Sequence, residues 1–219
     1  MGAFSGGSTF RQYYVSGELP NNWPDTFQEG IARLAFKDID LKGEEDRALG
    51  WCSAAFPLDI DLQPELWRFN EYIVLALRID TLGVPGPILR IHTEAEIRRV
   101  QLEQKRESLN RYEKAEIKER IHMALRARVL PSIKSIDMVW NWTDGTVRFY
   151  AGNEKTNLEF QEMFEDSFGL LLIPDTPYTA GLHGQGIKLT DEQKAVLDVV
   201  EPSIFVDTET ALAALHEGA

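Results

Sequence analysis

Lys114, Lys118, His122 and Arg126 recur every four residues in the stretch "YEKAEIKERIHMALR". On a helix, residues four apart are neighbours, and like charges there repel by a few tenths of a kcal/mol, ~0.2–0.5. Lys114, Lys118 and Arg126 have no Glu or Asp three or four places away, and neither do Lys105 and Arg128. Unpaired ammonium and guanidinium groups in a row are suited to neutralising phosphates, releasing the counterions that a nucleic acid carries. At 1.5 Å of rise per residue, Lys114 to Arg126 spans about 18 Å, long enough to follow several phosphates. The plainer reading is a solvated helix face, because repulsion of that size is easily tolerated.

Other residues that could carry chemistry are weaker. Two Asp-Ile-Asp tripeptides, Asp38 to Asp40 and Asp59 to Asp61, point alternate carboxylates the same way on an extended chain and could hold a metal for nuclease chemistry. No His or Glu cluster stands beside them, and polar connections explain them as well. His92, His122, His183 and His216 show no metal-ligand spacing. The single cysteine, Cys52, follows Trp51 in an apolar run and reads as an inert buried thiol. The segment "GLHGQG" lacks the Lys-Ser/Thr of a phosphate loop. Trp140 and Trp142 alternate in one segment and should share a face, in the core or, less simply, under a stacked base. No metal and no cofactor are expected.

The elements that must position the cations follow from pattern. Of 219 residues, 43% are hydrophobic and 26% charged, and the net charge is −12; this is ordinary for a globular domain with a real core. The positive charge is concentrated. Residues 88–134 hold twelve Lys and Arg against seven Glu, a local charge of +5, so the remainder carries −17. No apolar run approaches the roughly 20 residues of a membrane-spanning helix, and "MGAFSGGSTFRQ" lacks the basic-then-apolar order of a secretory signal.

Strands are expected at "TFRQYYVSG", "ALGWCSAAF" and "EYIVLALRI", with a helix in "NNWPDTFQEGIARLAF". Thr93 with Glu96 reads as a capping box opening a charged helix near Glu94, and Asn110 with Glu113 opens a second, stopped by Pro131. The second should bury Ile117, Ile121, Ala124 and Leu125. Intrahelical pairs are expected between Glu94 and Arg98, Glu96 and Arg99, Glu103 and Arg106, and Glu116 and Arg120. A hairpin turning at Asp144-Gly145 follows, then a helix closed by Gly169 and a short buried strand "LLLIP". "DTPYTAGLHGQG" reads as a loop, Thr190 with Gln193 caps another helix, and "TETALAALHEGA" is a further helical candidate. The expected fold is α+β, with two β-α-β-type halves flanking a projecting charged helical hairpin. Residues 1–9 form a flexible N-terminus, 10–90 the first half, 91–131 the hairpin, 132–180 the second half and 181–219 a C-terminal helical segment.

Taken together, "IARLAF…RALGWCSAAF", "IVLALRIDTLGVPGPILR", the charged hairpin ending "RARVLPSIKSIDMVWNWTDGTVRFYAGNEK", and "FGLLLIPDTPYT" resemble the bacterial recombination-associated protein RdgC family over residues 10–178. The resemblance rests on the order and spacing of these segments. It implies a non-catalytic, largely sequence-independent DNA-binding protein without cofactor, cytoplasmic and nucleoid-associated. It also implies a ring-shaped homodimer with a positive inner surface, or a higher homo-oligomer, and a functional link to RecA through restraint of strand exchange. Family members run longer than the matched part, so the form of the oligomer stays open. By the same resemblance, the DNA-binding cations are Arg98, Arg99, Lys105, Arg106, Arg111, Lys114, Lys118, Arg126, Arg128 and Lys134. Duplex DNA is the expected ligand, with single strands possible. The alternative from the residues themselves is a protein-interaction module whose hairpin mediates oligomerisation without DNA.

Overall fold

The computed structural model describes residues 2–3, 9–41, 43, 45–183 and 189–199. The fold is α+β. Residues 1–174 form one compact unit and 175–219 a second. In chain order the first unit contains β1 (Arg11–Ser16), α1 (Trp23–Arg33), β2 (Arg47–Cys52), a single turn α2 (Pro64–Trp67), β3 (Arg68–Phe69) and β4 (Tyr72–Thr81). The helical pair α3 (Gly86–Gln104) and α4 (Arg111–Arg126) comes next, followed by β5 (Ser132–Asn141), β6 (Thr146–Phe149), α5 (Glu154–Phe168) and β7 (Leu171–Pro174). The second unit holds α6 (Pro177–His183) and α7 (Asp191–Asp198), the latter opened by reciprocal bonds between Thr190 and Gln193. The candidate helix "TETALAALHEGA" and the end of "GLHGQG" lie outside the described residues.

The strands from both sides of the helical pair join one antiparallel sheet, ordered β2-β4-β5-β6-β1-β7, with β3 also on β4. Its axis is a ten-residue ladder from Tyr72 opposite Asn141 to Thr81 opposite Ser132. Alternation sends Ile73, Leu75, Leu77 and Ile79 of β4 and Ile136, Met138 and Trp140 of β5 to one face. There α1 and α5 cover them with Phe27, Ile31, Phe160, Phe164 and Phe168. Trp142 joins the edge of this core, on the same side as Trp140, against Trp23. The opposite residues of β4, Val74, Ala76, Arg78 and Asp80, are buried as well, which explains why this strand reads as an unbroken apolar run. Arg78 grips Asp80 through two bonds of 2.9 and 2.6 Å and lies 3.9 Å over the Phe36 ring. Cys52, on that same face, is buried, and burial pushes its thiol up to about 11, so it stays protonated and unreactive.

Several boundaries differ from the expectation. The first charged helix opens at Gly86, directly after Pro85, and Thr93 is interior, its hydroxyl donating to the Leu89 carbonyl at 2.7 Å. The glycine-proline turn therefore runs straight into helix, because Pro87 in the first turn loses no intrahelical donor. The strand "LLIP" is half-exposed, since it closes the sheet with a neighbour on one side only. Residues 177–183 form a short helix in place of a loop.

Gly30 marks the crossing of α1 with α5. A Cβ there would lie 1.9 Å from the Ser167 carbonyl oxygen, while the Ser167 hydroxyl accepts from the buried Trp51 indole at 2.7 Å. Gly30→Ala would gain helix propensity of up to about 1 kcal/mol, but forcing two packed backbones apart costs more, typically ~1–3 kcal/mol. A net loss of stability is expected in chemical denaturation followed by tryptophan fluorescence; an unchanged or raised midpoint would contradict this packing.

Candidate nucleic-acid interface

The helical pair leaves the sheet where β4 ends and returns where β5 begins, so its two feet are fixed by the facing pair Thr81 and Ser132. Nineteen residues of α3 and sixteen of α4 carry it roughly 25 Å outward at 1.5 Å per residue. Its own packing is thin. No residue of α3 is fully buried, and only Ile117 of α4 and Leu109 of the connection are. Ile121 and Leu125 are half-buried and Ala124 is exposed.

Charge pairs supply much of what packing does not. Glu96 takes two bonds from Arg99, of 2.7 and 2.9 Å, and one from Arg120 of the other helix at 2.6 Å. At the far end, Arg106 reaches Glu113 at 2.6 Å while Glu113 completes the capping box with Asn110. Between the helices, Gln101 donates to the Glu107 carbonyl at 2.8 Å. Lys105 ends α3 in the left-handed conformation, φ 52°. The expected partners are thus reshuffled. Glu96 with Arg99 stands, but Glu94 meets Arg90, Glu103 meets Arg99, and Arg120 crosses to Glu96. Once a second helix lies alongside, its charges compete with those one turn away.

Of the ten cations assigned to DNA, three are engaged within the protein. Arg99 and Arg106 belong to the pairs above. Arg126, expected to be unpaired, is largely covered and clamps the foot of α4. Its Nε donates to Asp46 at 2.8 Å and its two Nη atoms to the carbonyls of Leu41 and Glu45. Asp46 lies 80 residues away in sequence, so no local spacing could reveal it. Its own carbonyl accepts from Leu82 at 2.7 Å, tying the clamp to the end of β4.

The other seven, Arg98, Lys105, Arg111, Lys114, Lys118, Arg128 and Lys134, are exposed and have no acidic partner among the described residues. Arg111, Lys114 and Lys118 stand at i, i+3 and i+7, within one stripe of α4 over about 10 Å. On α3, Arg98 and Lys105 flank Leu102 around a shallow recess of ≈ 590 Å³ at the hairpin tip. No group of three or more His, Cys, Asp or Glu placed to hold a metal occurs among the described residues. Asp38 lies 3.9 Å from Arg78, and Asp61 accepts from Gln63 at 2.9 Å. Among the described residues, no helix is long and apolar enough to cross a membrane.

No protein-family model matches this sequence, and no curated protein is similar to it.

Two outcomes follow from this electrostatic bracing. Removing the clamp by Arg126→Ala should cost about 1–3 kcal/mol of local stability, read as faster hydrogen exchange along α4. Lys118→Ala should change it by less than about 0.5 kcal/mol; equal effects would contradict the division between clamped and free cations. Hydrogen bonds from Arg99, aided by the charge of Arg120, hold the Glu96 carboxyl below its ordinary 4.5, and Arg106 does the same for Glu113. A carboxyl lowered on folding stabilises above its unfolded pKa and stops doing so as pH falls through the folded one. The α3–α4 contact should therefore hold from neutral pH down to about 4.5 and loosen below it. NMR titration of the Glu96 side chain checks this, and a midpoint at or above 4.5 would refute it.

Proposed function

We propose that the protein binds DNA without catalysis and largely without regard to sequence, covering duplex and so limiting access of a RecA-type recombinase. One observation carries the reading: Arg111, Lys114 and Lys118 form an exposed stripe of cations with no acidic partner among the described residues, in a chain with an excess of acids. In a protein of net charge −12, carboxylates to quench three neighbouring cations would be easy to supply. Their absence, on an arm held clear of the sheet, suits a surface whose counter-charge is a phosphate chain. Arg128 and Lys134, at and beyond the foot of α4, extend the positive region toward β5. The sequence resemblance to the RdgC family points to the same activity and adds the homo-oligomer, the nucleoid and the recombinase to the proposal.

Phosphate contact makes affinity depend on salt. With about five contacts, log K should fall against log salt with a slope near −4 to −5 on duplex DNA. Lys114→Glu combined with Lys118→Glu should weaken binding to unrelated duplexes by similar factors, about ten-fold or more, in fluorescence anisotropy. Salt-independent binding, or full affinity in the double variant, would remove this stripe as the interface. A positive result leaves the recombinase to a strand-exchange assay with RecA, in which the protein should slow exchange and the double variant should not.

A further inference from the structure

The face of the sheet that α1 and α5 do not cover carries an apolar surface for which phosphate binding has no use. Strand alternation points Phe69 of β3, Tyr72 of β4 and Val139 of β5 to that side. With Ala54, Ala55 and Tyr150 they line an open recess of ≈ 790 Å³, at the Tyr72 end of β4 and so at the end opposite the helical pair. Next in the chain to Ala55, Phe56 and Leu58 stand 70% and 71% exposed. They do not belong to a loose loop. The Ser53 amide donates to the Asp59 carbonyl at 2.9 Å and the Asp59 amide to the Phe56 carbonyl at 2.8 Å. Arg78, paired with Asp80 inside the sheet, also donates to the Pro57 carbonyl at 3.3 Å, which ties the turn to the central strand. The backbone is thus fixed while a phenylalanine and a leucine are held out in water.

Single exposed apolar residues are normal on a soluble protein, but grouped ones beside a recess mark an interaction site. Because the turn is already ordered, little conformational freedom is lost when a partner covers it. The surrounding charges select the partner. Residues 53–74 hold four acids, Asp59, Asp61, Glu65 and Glu71, against one cation, Arg68. That cation is turned to the other face, 4.9 Å over the Trp23 ring. Asp59 and Glu71, next in sequence to Leu58 and Tyr72, are exposed and have no cationic partner among the described residues. Arg148, on the β6 side, is engaged by Gln12 at 3.2 Å and the Phe10 ring. The buried Asp137 carboxylate already accepts from the Ala3 amide at 2.7 Å. A phosphate chain would be repelled here, whereas lysines or arginines flanking bulky apolar side chains would meet their opposites.

We infer that this face docks a segment of a partner protein in which bulky apolar side chains are flanked by lysine or arginine. An apolar anchor of the segment enters the recess between Ala55, Tyr72 and Val139, Phe56 and Leu58 pack beside it, and the cations face Asp59 and Glu71. The contact uses none of the residues of the cationic stripe on α4 and does not depend on DNA.

The experiment uses the full chain without nucleic acid. The probe is a synthetic amphipathic peptide of leucine and lysine alone, with two controls: every lysine replaced by glutamate, or every leucine replaced by alanine. The leucine-lysine peptide should shift the methyl NMR signals of Ala54, Ala55, Val74 and Val139 in a saturable way, and neither control should. Phe56→Ser combined with Leu58→Ser should weaken binding about ten-fold or more. Asp59→Lys combined with Glu71→Lys should weaken it about three-fold or more. All four side chains are exposed, so melting of both variants should match the wild type. Lys118→Ala should bind the peptide as the wild type does. Methyl signals that stay in place, binding that survives both pairs of substitutions, or a control peptide that binds equally well would overturn the inference. So would light scattering that shows self-association requiring Phe56 and Leu58, because a second copy would then occupy the face.

Discussion

Fifty residues separate Thr81 from Ser132, yet the two stand opposite each other at the end of a ten-residue ladder. That pairing fixes both feet of the helical pair at one point of the sheet. It holds because β4 is buried on both faces: Leu75 and Leu77 meet the aromatic layer of α1 and α5, while Ala76, Arg78 and Asp80 are covered on the other side. The cost of burying Arg78 and Asp80 is offset by bidentate pairing and by the Phe36 ring. A central strand this constrained has one register only, since a slip of one residue would exchange its two faces.

The arm that the ladder supports is built differently. It has little apolar interior, and its helices are held by Glu96, Glu113 and the Arg126 clamp. Exposed ion pairs are individually weak, so the arm should be the most salt- and acid-sensitive part of this unit. Its cations fall into two groups by position. Arg99, Arg106, Arg120 and Arg126 find carboxylates on the helical pair or beside the sheet and Arg90 finds one a turn away, whereas Arg98, Lys105, Arg111, Lys114, Lys118 and Arg128 have none among the described residues. The same partition separates the part that shapes the arm from the part available to a ligand.

Two kinds of outward surface then share one arm. The Arg111–Lys114–Lys118 stripe offers three exposed cations, which is what the proposed contact with a phosphate backbone needs. Ile91, Leu102, Tyr112 and Met123 stand exposed elsewhere on the same two helices and give an apolar surface of a different kind.

The sequence by itself determined the order of the longer strands and helices, though not α2, β3 or α6, together with the second capping box, the Asp-Gly hairpin turn and the end of α5 at Gly169, because each rests on contacts within a few residues. It also located the cations Lys114 and Lys118, which lack an acidic partner one turn away and have none among the described residues in three dimensions. Tertiary structure decided the rest. Arg126 looked the same as Lys118 until β2 and β4 brought Asp46 beneath it. Arg106 and Arg120 exchanged the carboxylates one turn away for others that only helix pairing supplies. Local spacing encodes what a side chain can meet along its own helix. What it meets across 24 or 80 residues depends on the path of the sheet, and no period in the chain records that.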